Sequence, residues 1–160
     1  MNAAADPNHL RQQALRHLGA LAHQTRASLR AADRFVTQDG PQDTETANWL
    51  VCTSVDLAHE VALELDGLAR GLRESGTEAA RLQAMAPWRR LAHQLHAACR
   101  AADMFLEQET RDEQDTGAWL VASARGLADR LAAALDDGIG VKAAAEPVRR
   151  VTVAPHSVAG

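Results

Sequence analysis

The 160-residue chain has no tyrosine, two phenylalanines and three tryptophans, so aromatics make up only 3% of it. An aromatic-filled core is excluded. With 46% hydrophobic residues the core must instead be aliphatic, built from Leu, Val and Ala. Ala-rich apolar stripes favour closely packed helices over sheets. There are two cysteines, Cys52 and Cys99, too few for a disulfide framework in a chain of this length, which points to a reducing compartment. Basic residues are not in excess: 17 Lys and Arg stand against 21 Asp and Glu, for a net charge of −4. That balance argues against a nucleic-acid partner, which calls for a basic face. No apolar run approaches 18 residues, so no membrane span is expected. The first residues, MNAAADPNHLRQQ, show no basic segment leading into an apolar one, so no secretory signal is expected and the expected location is cytoplasmic.

Several chemical signatures are missing as well. The sequence contains no Glu-x-x-His, the pair that di-iron bundles place on facing helices. Two cysteines cannot furnish a copper-storage bundle. No glycine-rich phosphate loop and no nucleophile beside a base can be read. His93, His96 and Cys99 follow one another at intervals of three, but each step turns a helical side chain back by about 60°, so the three spread over about 120°. Arg100 beside them disfavours a cation. No metal and no cofactor is expected, and the chain reads as more a binding protein than an enzyme. An enzyme with a site that no motif reveals stays as an alternative.

What is present is a repeat. HQTRASLRAADRF begins at His23 and HQLHAACRAADMF at His93, seventy residues on. At that offset residues 23–66 align with 93–136 without a gap, and 18 of the 44 pairs are identical. The apolar positions keep a helical period in both halves. Leu91, Leu95, Ala98, Ala102 and Phe105 form one stripe, and Leu120, Ala124, Leu127, Leu131 and Leu135 form another. Val51, Ser54, Leu57, Ala58, Val61 and Leu65 make a third, and Leu18, Leu21, Thr25, Leu29, Ala32 and Val36 a fourth. Leu50, Leu57, Leu120, Leu127, Leu131, Phe35 and Phe105 are expected to be buried.

Helix ends are marked by Asp6-Pro7, by Thr46 and Thr116 as N-caps, by Gly76 as a stop, by Thr77 and Glu78 as a new start, and by Gly138 and Gly140 at the close. Pro87 should interrupt the third helix. These signals predict helices over 7–38, 46–74, 78–108 and 117–137. The predicted fold is all-α: an up-down-up-down four-helix bundle of two duplicated hairpins (about 7–76 and 77–140), with a flexible tail over 141–160.

On a helical wheel His23, Arg30 and Asp33, and in the second half His93, Arg100 and Asp103, fall away from the apolar stripe. They form a polar stripe repeated on the outside, read as a solvated face with an internal Arg–Asp pair or as a binding face. Trp49 and Trp119, expected in the first turns of their helices, read as covers over the bundle end or as a paired platform for a partner. The loops at that end are acidic, with Asp39, Asp43 and Glu45 in one and Glu107, Glu109, Asp112, Glu113 and Asp115 in the other. The opposite end gathers Arg70, Arg73, Arg81, Arg89 and Arg90, with Glu74, Glu78, Asp136 and Asp137 interleaved. The expected function is protein–protein interaction as a scaffold, adaptor or regulatory subunit, through a protein partner or a homodimer. The alternative is a small apolar ligand or a metal held where Pro87 lets the helices splay.

Overall fold

The computed structural model describes residues 7–38, 40–76 and 79–143. Four helices fill nearly all of this length: α1 (Pro7–Val36), α2 (Pro41–Ser75), α3 (Ala79–Leu106) and α4 (Arg111–Ala143). Short connections force antiparallel neighbours. Each helix packs along two others, in the cyclic order α1, α2, α3, α4, so α1 faces α3 and α2 faces α4 across the diagonals. This is the up-down-up-down bundle expected from the sequence.

The helix ends differ from expectation, for reasons local to the chain. α2 opens at Pro41, with Gly40 extended before it (φ −87°, ψ 138°) and the Gly40 carbonyl accepting from Asp43 and Thr44 at 3.0 and 3.1 Å. Proline at the first helical position loses no bond, because its N–H would be unpaired there anyway. α4 opens at Arg111 behind a capping box. The Thr110 hydroxyl bonds the Glu113 carboxylate and receives the Glu113 N–H at 3.4 Å. Thr46 and Thr116 are therefore interior residues rather than caps. Their hydroxyls donate back one turn, to Gln42 O at 2.8 Å and Asp112 O at 2.9 Å. Gly76 does stop α2: it sits in the left-handed region at φ 68° and its N–H bonds Arg73 O. Gly138 does not end α4, which runs on to Ala143. A Cβ at Gly138 would overlap the Trp88 ring, so the glycine is there to let the indole in. α3 continues through Pro87. The expected caps at Asp6 and at Thr77 and Glu78, and the tail from residue 144 on, lie outside the described residues.

The seventy-residue offset carries through to these elements. α1 ends at Val36 and α3 at Leu106, and α2 opens at Pro41 and α4 at Arg111. Buried positions recur at the same interval, among them Leu29 and Cys99, Val51 and Val121, Val61 and Leu131, Leu65 and Leu135. The main cluster joins leucines to alanines on all four helices, and a smaller one (Ala32, Val51, Ala102, Leu106, Val121) closes the end near the two hairpin loops. Two hydroxyls are fully buried, and each is satisfied by its own helix: Thr25 donates to Leu21 O and Ser54 to Leu50 O.

Of the seven residues expected in the core, Leu131 alone is fully buried. Leu50, Leu57, Leu120, Leu127 and Phe35 are half-buried, and Phe105 is exposed. In α3 the buried line is Ala92, Leu95, Cys99, Ala102, Leu106 rather than one through Leu91, Ala98 and Phe105. Leucines and alanines share the interior, and the half-buried Leu57, Leu91 and Leu127 pack against it from the side.

Candidate functional site

The repeated His-Arg-Asp residues lie along two seams between helices. His23 on α1 places Nε2 2.9 Å from the Asp136 carboxylate on α4. At the same offset, His93 on α3 places Nε2 3.0 Å from Asp66 on α2. Arg30 donates to Asp129 at 3.0 Å and Arg125 donates to Asp33, so the α1/α4 seam carries a row of opposite charges. These four residues also line a shallow polar recess with Arg34.

The α2/α3 seam diverges from it. Val55 stands where the offset would place the arginine facing Asp103. Burial, with Glu107 and Asp56 close by, raises the Asp103 pKa. His59 stands where Asp129 would, and its ring meets that of His96 with centroids 4.7 Å apart. Burial, helped by the charges of His59, Arg100 and His93, lowers the His96 pKa. Farther along, Asp66 accepts from Arg89 at 2.7 Å as well as facing His93. Burial pushes its carboxyl up, but the bonds from Arg89 and His93 outweigh that and hold it below the ordinary range.

His93, His96 and Cys99 therefore face three different neighbourhoods. Cys99 is buried inside the bundle, where desolvation and Asp103 push its thiol up to about 12. Cys52 is exposed, and its thiol too is raised, by desolvation and then by Asp103, Asp56 and Glu107. Neither cysteine is primed as a thiolate.

Trp49 and Trp119 do not cover the bundle end. They lie about two turns inside α2 and α4, on diagonally opposite helices, and are 70% and 67% exposed. The earlier helix starts move each indole away from the bundle end, and standing two residues before buried Val51 or Val121 puts it about 160° round the helix from the buried line.

A further opening lies at the end of the bundle away from the α1/α2 and α3/α4 loops. A cavity of about 440 Å³ lies among Leu10 and Leu15 of α1, Gly67, Leu68, Gly71 and Leu72 of α2, Met85 and Trp88 of α3, and Gly138 of α4. Arg11 and Arg81 put positive charge on its lining. Its volume falls in the roughly 300–1,000 Å³ range of small-molecule sites. Glycine makes the room. A Cβ at Gly67 or Gly71 would meet nothing within 4 Å, and both residues are exposed where the cavity reaches the surface. The expected splaying at an interruption of α3 by Pro87 does not occur, and Pro87 is not in the cavity wall, which is apolar with arginines rather than an inner His or Glu. Of the lining residues the sequence had marked only Arg81, as a charge at that end, and Gly138, as a helix end; Leu10, Gly67, Gly71, Met85 and Trp88 were among those missed. Two glycines four apart inside a helix were the legible signal.

No known protein family, curated protein or solved structure matches this chain, so its functional reading rests on the geometry alone.

Proposed function

We propose that the protein binds a small, largely apolar ligand in the cavity between Trp88 and the Gly67/Gly71 face of α2. The cavity itself carries this reading, and the glycines strengthen it. Each costs an exposed helix interior about 1 kcal/mol relative to alanine. Nothing packs against either position closely enough to require the missing side chain. Gly67 and Gly71, unlike Gly126, leave that open space where the cavity lies.

The test uses Trp88 as the reporter. With Trp49 and Trp119 replaced by phenylalanine, the neutral fluorophore N-phenylnaphthylamine should quench Trp88 by energy transfer, saturating at one molecule per chain. Gly71→Leu should weaken this binding at least tenfold while circular dichroism stays helical. Non-saturable quenching, or binding indifferent to Gly71→Leu, would reject the cavity as the site.

A second reading, protein–protein interaction, is favoured by a different observation. Trp49, Trp119, Leu63 and Met104 are large apolar side chains left mostly exposed on the outer faces. A partner or a second copy held there would be weakened by Trp49→Ala and Trp119→Ala. Sedimentation showing a monomer at high micromolar concentration would remove the self-association form of this reading.

A further inference from the structure

The α1/α2 seam holds a group that belongs neither to the repeat nor to the cavity lining. Glu60 and Glu64 are four residues apart on α2 and so share one face of it. That face meets α1 at His17. The His17 Nε2 lies 3.1 Å from Glu64 Oε1 and 3.9 Å from Glu60 Oε1, and one ligand atom from each of the three falls within 4.8 Å of the others. Ligands ~2.0–2.1 Å from a tetrahedral zinc stand about 3.3 Å from one another. The His17–Glu64 edge is therefore already close to the size that an ion demands, and the two edges to Glu60, both within 4.8 Å, close by a movement of that side chain.

The charge arrangement points the same way. Two carboxylates at i and i+4 repel each other, and both turn toward His17. The nitrogen that His17 turns toward both carboxylates is the same atom that, without its proton, serves as a metal ligand. The repeat separates this group from the general run of seam charges. The pairs His23–Asp136 and His93–Asp66 recur in both halves. The positions seventy residues on from His17, Glu60 and Glu64 are Pro87, Arg130 and Ala134, which cannot bind a metal. Motif reading passed over the group because the histidine comes from a different helix, so no spacing along the chain reveals it.

We propose that His17, Glu60 and Glu64 form a site for one divalent transition-metal ion, with three protein ligands and a coordination position open to solvent. Because all three side chains are partly exposed, the ion exchanges readily and clips α1 to α2 when bound. The site stands independently of the cavity, although Glu64 lies one helical turn before Leu68 in the cavity wall.

The test is calorimetric titration of metal-stripped protein with Zn²⁺ at pH 7.5, with Co²⁺ absorption as a second readout. One ion per chain should bind, and Co²⁺ should give the intense visible bands of a low-coordinate site. His17→Ala and Glu64→Gln should each weaken binding at least tenfold, with helicity unchanged. His23→Ala, which alters a histidine on the other seam, should leave it intact. The absence of saturable binding would overturn the proposal. Equal affinity in the wild type, His17→Ala and Glu64→Gln would overturn it too, placing the ion on other surface groups. If either variant loses its helicity, Glu60→Gln, which removes only the more distant carboxylate, replaces it under the same criterion.

Discussion

Alanine replacement of Gly67 and Gly71 tests the structure and the proposed function together. Both residues lie inside α2, and a Cβ at either would meet no atom within 4 Å. No clash opposes the change, so the helix-propensity term stands alone at about 1 kcal/mol per site. The double variant should therefore be about 2 kcal/mol more stable than the wild type in urea unfolding followed at 222 nm. For a chain of this length that corresponds to a rise of about 4–8 °C in Tm. The two methyl groups also enter the cavity, so affinity for an apolar probe should fall while stability rises. Two other glycines serve as controls. Gly126, in α4 and away from the cavity, likewise has nothing near its missing Cβ. Gly126→Ala should gain about 1 kcal/mol and leave probe binding unchanged. Gly138→Ala should destabilise, because its methyl would overlap the Trp88 ring. An unchanged or lowered stability for the Gly67→Ala/Gly71→Ala protein would refute the reasoning, since it would mean the space beside α2 is filled in solution.

Leu131 is fully buried and Leu127 half-buried, so Leu131→Ala should cost about 2–5 kcal/mol and Leu127→Ala distinctly less; the reverse order on chemical denaturation would show the buried line of α4 to be misassigned. Arg30 bridges to Asp129, whereas Arg100 faces the His59/His96 pair, so Arg30→Ala should cost up to about 1 kcal/mol and Arg100→Ala close to nothing. Equal losses would show that the seam bridge contributes nothing of its own. His96 should titrate below its ordinary value near 6.5 in an NMR pH series, because burial and then His59, Arg100 and His93 disfavour its charged form. The unfolded chain then takes up that proton first, so the contribution of His96 to stability is complete above about pH 6.5 and declines as the pH drops through that value toward its folded pKa. A titration at or above 6.5 would contradict the buried placement of that ring.

The sequence by itself determined four helices, their cyclic antiparallel packing and the seventy-residue correspondence between the hairpins, because helical period and loop length are local properties that a chain states directly. It also located Gly76, where a left-handed stop needs no Cβ. It misplaced the starts of α2 and α4. Threonine serves equally as a cap or as a donor to the carbonyl one turn back, and only the neighbouring Gly40-Pro41 and Thr110-x-x-Glu113 decide which. Five residues of error at a helix start change neither its period nor the azimuth of its residues, but they move the end of the helix, so the two indoles lie along its length rather than over the bundle end, on the side away from buried Val51 and Val121. The polar stripe was legible as a stripe, but the partners of its residues come from other helices: Asp136 for His23, Asp129 for Arg30, Asp66 for His93. The same holds for the cavity, which four helices enclose jointly, and for His17 with Glu60 and Glu64. Sites that form across seams depend on the azimuth and height of each helix against its neighbours, and those are settled by packing leucine against alanine in three dimensions rather than by any spacing along the chain.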